Sequence, residues 1–199
     1  RSPTSFLHKL PFGRSPTSFI MVQPKPLVLV TGASGFIGSH CILALLGSNK
    51  FSVRGTVRSI GSKSTAHLTT HPGLKDATLV EADLLKDAGW DAAVAGCDYV
   101  LHVASPFPIG KVPENSLVQP AVEGTERVLR AAAKNKVKRV VLTSSVAAVS
   151  GGRADGDVEE RTFKEDNWSN PDKQDEYGKS KTLAERKAWA LAKELNLDL

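Results

Sequence analysis

The chain has 199 residues, of which 41% are hydrophobic and 24% are charged, as is ordinary for a globular protein of one domain or slightly more. Its net charge of +5 comes from 26 basic and 21 acidic residues, and the basic ones are not gathered into a stripe with interleaved aromatic residues. Composition therefore argues against a nucleic-acid partner. No apolar run approaches the roughly 20 residues that cross a bilayer, which argues against a membrane partner.

The first 24 residues differ from the rest of the chain. RSPTSF stands at 1–6 and again at 14–19, the first twenty residues contain no acid, and Met21 comes just before the first apolar run. A transit peptide has a similar basic, serine-rich composition. We favour a tail over 1–24 that is disordered or extraneous to the domain, with Met21 as the natural start.

Segments typical of strands and helices alternate along the remainder, 25–199. Short apolar runs predict strands, and longer runs with periodic apolar residues predict helices. The predicted elements, in chain order, are a strand at 27–31, a helix at 36–46, strands at 51–57 and 77–81, a short helix at 86–95, a strand at 98–103, a helix at 115–134, a strand at 138–144, a loop at 150–172 and a helix at 174–195. This alternation predicts an α/β fold, a doubly wound parallel sheet (Rossmann fold) with helices on both faces.

The two cysteines, Cys41 and Cys97, lack both the spacing of metal ligands and the density of a disulfide framework. We expect them to be buried, reduced thiols of a cytoplasmic protein, and we expect no metal site.

A glycine-rich segment, TGASGFIG at 31–38, joins the first strand to the first helix. Gly32 permits the tight turn, Gly35 lets the backbone approach a pyrophosphate, and Gly38 lets the helix pack closely on the sheet. The amide groups at the start of the helix then face the anion. A turn without a ligand has the same glycines, but the strand before and the helix after favour a dinucleotide-binding loop.

The end of the second strand predicts which dinucleotide binds. An acid there favours NAD, whereas a basic residue favours the 2′-phosphate of NADP. Arg58 stands at this position, Lys63 follows, and no acid lies nearby. We expect Arg58 to bind the 2′-phosphate, assisted by Arg54 or Lys63, so NADP is preferred over NAD. The alternative is a surface arginine with no ligand.

An aspartate follows the third strand, within EADL at 81–84. Asp83 is suited to accept a hydrogen bond from the adenine amino group. It is almost equally suited to be the N-cap of the helix that follows, and chemistry alone leaves both open.

Tyr177 and Lys181 are four residues apart in a predicted helix, so they share one face. A lysine ammonium favours ionisation of a neighbouring phenol, which can then donate a proton to a ketone or remove one from an alcohol. Lys181 can also bind the nicotinamide ribose. Ser145 ends the fifth strand, where its hydroxyl can hold the substrate oxygen beside Tyr177. Each feature is common alone, but their joint order on an alternating framework is not.

These motifs together resemble the extended short-chain dehydrogenase/reductase family, in its dihydroflavonol reductase-like and cinnamoyl-CoA reductase-like branch. The likeness covers 27–199. The segments that carry it are TGASGFIG (31–38), TVR (56–58), EADL (81–84), LHVASPFP (101–108), PAVEGT (120–125), KRVVLTSS (138–145), FKEDNWS (163–169) and YGKSKTLAE (177–185).

The resemblance implies a catalytic triad of Ser145, Tyr177 and Lys181 and pairing of two copies through the long helices. Ala121 stands where sugar epimerases often have asparagine, which favours a simple reductase. The resemblance also implies that 25–199 is an NAD(P)-binding domain incomplete at its C-terminus, with the family's substrate-binding region absent. The implied cofactor contacts are Phe36, Ile37, Asp83, Leu84, Val103, Ala104 and Ser105.

Three functions remain open at this point. The first is an NADP-dependent oxidoreductase that reduces a carbonyl of a small molecule. The second is a nucleotide-sugar epimerase or dehydratase, or a hydroxysteroid dehydrogenase, on the same fold. The third is an inactive chain that only binds a dinucleotide.

Overall fold

The fold is known from a computed structural model that describes residues 24–107, 113, 116–152 and 162–199. Within these residues, all strands pair in parallel in one sheet of order β3-β2-β1-β4-β5. The strands are β1 (Leu27–Val30), β2 (Ser52–Val57), β3 (Thr78–Glu81), β4 (Tyr99–His102) and β5 (Arg139–Leu142). The predicted class, a doubly wound parallel α/β sheet, is confirmed.

Helices follow the strands as the sequence predicts, with differences confined to short segments. The helices are α1 (Phe36–Gly47), α2 (Ala66–Thr70), α3 (Trp90–Val94), α4 (Val118–Lys134), α5 (Ala147–Ser150) and α6 (Glu176–Leu195), and 3₁₀ turns span Lys63–Thr65 and Pro171–Lys173. The sequence pattern did not predict α2, α5 or the turns, because three to five residues are too few to display a period. The expected tail over 1–23, residue 115 and the 153–161 part of the expected loop lie outside the described residues.

Two apolar clusters cover opposite faces of the sheet. Leu29 belongs to the cluster that includes α4 and α6, whereas its neighbour Val30 belongs to the cluster that includes α1 and α2. Successive side chains of a strand point to opposite faces, so each cluster fills one side. Because the strands run in parallel, their carboxyl ends meet at one edge, and the segments that follow them lie there together.

The long helix α6 has well-defined ends. Asp175 caps its start by accepting a hydrogen bond from the Gly178 amide at 2.7 Å, and Asn196 ends it in a left-handed conformation with φ of 50°. These caps fix the register of the helix that carries Tyr177 and Lys181.

The cysteines depart in part from expectation. Cys97 is buried, as expected, but Cys41 is only half-buried on α1, and both are free thiols. Burial raises the pKa of both thiols. Among the described residues, no helix combines the length and apolar character that a membrane crossing needs.

Candidate functional site

A cleft of about 980 Å³ opens at the carboxyl edge of the sheet. It brings together segments that are distant in sequence, from the glycine loop at one end of the chain to α6 at the other. The residues that line it are Gly32, Ser34, Gly35, Phe36, Ile37, Gly38, Thr56, Val57, Arg58, Ala82, Asp83, Leu84, Leu85, Trp90, Val103, Ala104, Ser105, Pro106, Phe107, Ser116, Leu117, Pro120, Thr143, Ser144, Tyr177 and Lys181.

The glycine loop is held by backbone contacts. Gly32 adopts a positive φ of 68°, and its amide donates to the Thr56 hydroxyl at 3.1 Å. A Cβ atom at Gly38 would lie 2.2 Å from the Gly32 carbonyl oxygen, so only glycine lets α1 begin this close to the loop. No side chain caps the start of α1, and the free amide groups of its first turn form a cradle suited to a pyrophosphate.

The side chains beside the cradle point outward. Phe36 is 80% exposed and Ile37 52% exposed, although both residues border the cleft. The backbone amide groups of these two residues, in the uncapped first turn of α1, are available to a bound dinucleotide.

The basic residues after β2 occupy different surroundings. Arg58 borders the cleft, whereas Lys63 lies in the 3₁₀ turn and is not among the residues that line it. The expectation that Arg54 assists is wrong, because its guanidinium donates to the Ala93 and Ala95 carbonyls, both at 2.8 Å, at the end of α3. Arg54 thus satisfies carbonyl groups at the C-terminal end of α3.

The turn that carries Arg58 is anchored by an acid. The Ile60 amide donates to the Glu81 carboxylate at 2.7 Å, at the end of the neighbouring strand. Within the described part of the chain, the Arg58 guanidinium has no hydrogen bond or ion pair with protein. It is therefore a charge that remains available to a ligand.

Asp83 and Leu84 both border the cleft. The alternative of Asp83 as an N-cap is wrong, because α3 begins only at Trp90, after Gly89. The Asp83 carboxylate accepts from the Leu85 amide at 3.0 Å and therefore shapes its own turn. Its other oxygen is available for the adenine contact that the sequence predicts.

A buried hydrogen-bond network joins Thr31, just after β1, to the end of β4. The sequence pattern did not predict it. The Thr31 hydroxyl accepts from the amides of Val103 and Ala104 at 3.0 and 2.9 Å. Its own O–H therefore donates a hydrogen bond to His102 Nδ1, 2.9 Å away. The ring is then protonated on Nε2, which faces the Thr125 hydroxyl at 3.4 Å. This hydrogen-bond network holds the 103–105 segment against the glycine loop. Only the polar character of His102 in an apolar strand could have pointed to it.

We predict that His102 makes the protein sensitive to acid. It is 1% exposed, and burial, aided by the Lys181 charge, lowers its pKa from 6.5 to about 3. Below pH 6.5 the unfolded chain takes up a proton on this ring while the folded protein does not. The free energy of unfolding should therefore fall by about 1.4 kcal/mol per pH unit as the pH drops from 6 towards 3.

Urea unfolding at several pH values measures this slope. The His102→Gln variant should lose that part of the slope, while His40→Gln, at an exposed histidine, should keep it. Equal slopes in the wild type and His102→Gln would contradict the prediction.

Tyr177 and Lys181 both border the cleft from the first turns of α6. The Tyr177 ring packs edge-on against Phe107 with 5.2 Å between centroids. Lys181 is only 8% exposed, and its ammonium donates to the Thr143 carbonyl at the end of β5 at 3.0 Å. Burial lowers the Lys181 pKa, and the Glu185 carboxylate opposes this. The ammonium thus stands at the carboxyl end of β5, on the wall of the cleft.

The two serines after β5 differ in their surroundings. Ser144 lines the cleft and its hydroxyl donates to the Glu185 carboxylate. Ser145, the serine that the sequence analysis selected, accepts from the Ala147 amide at 3.2 Å and is not among the residues that line the cleft. The structure brings Tyr177, Lys181 and Ser144 to one cleft. Sequence reasoning gave Ser144 and Glu185 no role.

Comparisons with known proteins agree with this geometry. Residues 28–199 match the model of the NAD dependent epimerase/dehydratase family. The chain is 42% identical over 192 residues to dihydroflavonol 4-reductase from Arabidopsis thaliana, covering 89% of this chain and 48% of that protein. It is 42% identical over 180 residues to cinnamoyl-CoA reductase 1 from Petunia hybrida, covering 87% and 52%.

A solved structure gives the same result for the fold. Yeast methylglyoxal/isovaleraldehyde reductase Gre2, in complex with NADPH, superposes with a TM-score of 0.70 at 31% identity, over 85% of this chain and 54% of that one. The resemblance to the dihydroflavonol reductase-like and cinnamoyl-CoA reductase-like branch is confirmed. The chain spans about half the length of the curated relatives it matches.

Proposed function

Because the chain belongs to the NAD dependent epimerase/dehydratase family, we propose that it is the nucleotide-binding part of an NADP-dependent oxidoreductase that reduces a carbonyl of a small molecule to an alcohol. The observation that carries the proposal is one cleft bordered by the glycine cradle, by Arg58 and by the Tyr177/Lys181 pair. Such a cleft brings the cradle proposed for the pyrophosphate and the phenol proposed as proton donor to one space. Relatives with reductase names support the reaction class.

The residues fit the cofactor in chemical terms. The cradle has a positive φ at Gly32 and no room for a Cβ atom at Gly38, and it presents free amide groups, as a pyrophosphate requires. Arg58 is suited to a 2′-phosphate, Asp83 to the adenine amino group, and the 103–105 backbone to the middle of the molecule. When bound, NADPH supplies the hydride.

The chain's own residues supply the proton chemistry. The Tyr177 phenol donates its proton to the carbonyl oxygen as negative charge develops there, and the Lys181 ammonium stabilises the phenolate that remains. Ser145 is proposed to orient the substrate oxygen, with Ser144 as the neighbouring hydroxyl that borders the cleft. We further propose that two copies pair through α4 and α6 and that the protein is cytoplasmic. The two free cysteines support the cytoplasmic location.

Cofactor titration tests the proposal. Fluorescence should show that the protein binds NADPH more tightly than NADH, and small apolar aldehydes or ketones should accelerate NADPH oxidation. A preference for NADH would favour the epimerase or dehydratase alternative. Binding without turnover of any carbonyl compound would favour a chain that only binds the dinucleotide.

We predict that Arg58→Ser weakens NADPH binding by about 10- to 100-fold, because a charge-assisted hydrogen bond contributes about 1.5–3 kcal/mol. NADH binding should stay the same, since NADH has no 2′-phosphate. Lys63→Ser is the matched control and should have little effect, because Lys63 does not border the cleft. A parallel loss of both cofactors in Arg58→Ser would count against the assignment.

A further inference from the structure

A second, much smaller cavity lies behind the Tyr177/Lys181 pair, between α4, β5 and α6. Its volume is about 10 Å³, about what one water molecule requires. Lys181, Ser144, Thr125 and Glu185 are among the residues that line it. Its walls thus offer an ammonium, a carboxylate and hydroxyl groups. Ala121 also lines it, so the small side chain on α4 leaves this space open.

The Lys181 ammonium borders this cavity with donors to spare. It has three N–H groups, and within the described residues it makes one hydrogen bond, to the Thr143 carbonyl at 3.0 Å. A buried ammonium is costly unless its remaining donors are satisfied. A water molecule in the cavity can accept one of them.

Glu185 also lines the cavity, one helical turn after Lys181 on α6. Its carboxylate accepts from the Ser144 hydroxyl and from Trp189 Nε1, the latter at 3.2 Å. Each carboxylate oxygen accepts one of these hydrogen bonds, so the two donors together hold the carboxylate in place. Thr125 adds a hydroxyl to the cavity wall. Its oxygen accepts a hydrogen bond from His102 Nε2–H, so its own O–H is free to donate to the same water.

We propose that Glu185 is a positioning residue of this site, which binds the Ser144 hydroxyl directly and the Lys181 ammonium through one water molecule in the small cavity. The proposal rests on the proposed function, since it assigns a role beside Tyr177 and Lys181. Glu185 is not among the residues that line the large cleft, where substrate and cofactor are proposed to bind. It acts by holding the two groups that border the cleft, and its negative charge favours the protonated form of the ammonium.

The titratable groups around Lys181 are few in the described part of the chain. Glu185 and Tyr177 lie on its own helix, and His102 faces it from β4. His102 is buried and neutral, so its charge does not change near neutral pH. The Glu185 carboxylate raises the Lys181 pKa against the effect of burial, so removing its charge should lower that pKa.

The test uses Glu185→Gln in the intact protein, which removes the charge but keeps a similar shape. An NMR titration of the Lys181 side chain, assigned by the loss of its signal in Lys181→Met, should show a midpoint lowered by about one pH unit. The basic limb of the kcat profile for NADPH-dependent reduction, which reports the coupled Tyr177/Lys181 pair, should move in the same direction. Glu194→Gln is the matched control on the same helix, where the glutamate pairs with Arg130, and should shift neither.

A second variant covers the case in which Glu185→Gln does not fold. Trp189→Phe removes one donor that holds the carboxylate, at a half-exposed position, and should shift both readouts in the same direction by less. Unshifted Lys181 titrations in the folded variants would overturn the proposal. If the wild type reduces no carbonyl compound, the proposed function fails, whereas the NMR titration still decides the role of Glu185.

Discussion

Replacing Tyr177 with phenylalanine should lower turnover by about 100- to 10,000-fold, the usual contribution of a positioned general acid. The substitution removes only the phenolic hydroxyl, so the edge-on contact of the ring with Phe107 is kept. NADPH binding should change little, because the glycine cradle and Arg58 lie elsewhere in the cleft. Steady-state reduction kinetics and fluorescence titration with NADPH measure the two effects.

The chain offers a matched control for this variant. It contains two tyrosines, and the other, Tyr99, lies on β4 under the Lys138 ammonium, 5.9 Å from its ring centroid. Tyr99→Phe removes the same hydroxyl outside the cleft and should keep normal turnover. Near-normal turnover in Tyr177→Phe would contradict the proposed proton donor.

The second large effect is expected at the glycine cradle. In Gly38→Ala, the new Cβ atom would lie 2.2 Å from the Gly32 carbonyl oxygen and 2.9 Å from its carbonyl carbon. Both are backbone atoms, so the start of α1 must move away from the loop. We expect a loss of about 1–3 kcal/mol in the free energy of unfolding, as overpacking usually costs. We also expect NADPH affinity to fall by at least about tenfold, because the amide groups no longer converge on the pyrophosphate.

Gly47→Ala separates this clash from the general effect of adding a methyl group to α1. Gly47 ends the same helix, and nothing lies within 4 Å of a Cβ atom built there. Alanine is the better helix former, so this variant should gain up to about 1 kcal/mol. NADPH affinity should be unchanged. If Gly38→Ala binds NADPH as the wild type does, the loop is not the pyrophosphate site.

Periodic sequence patterns were enough to predict the frame of the molecule. The strands and the helices α1, α4 and α6 lie within about two residues of their predicted bounds, apart from the later start of α4 at Val118. Long elements repeat their apolar positions often enough to be recognised. The short elements α2 and α5 do not repeat an apolar position and were not predicted. The predicted helix at 86–95 exists as α3, but it begins only at Trp90 and is five residues long.

The parts of the site that sequence could not predict depend on contacts between distant segments. Arg54 looked like a cofactor ligand from its place beside Arg58, but its partners are carbonyls some 40 residues later in the chain. Likewise, the hydrogen bonds of His102 on β4 join Thr31, just after β1, to Thr125 on α4. The contact between Ser144 and Glu185 joins the end of β5 to α6. Only the fold brings these groups together.

The outward side chains of Phe36 and Ile37 have a consequence for how this protein can evolve or be redesigned. The proposed pyrophosphate cradle is made of backbone amide groups, so we expect substitutions at these two positions to leave its chemistry intact as long as the glycines remain. Under the role proposed for Arg58, the choice between cofactors depends instead on the short turn around this residue, which Glu81 anchors through the Ile60 amide. The preference for NADP over NAD and the ability to bind a dinucleotide at all are therefore separable. We expect exchange of the turn around Arg58 to alter the preference without disturbing α1 or the sheet.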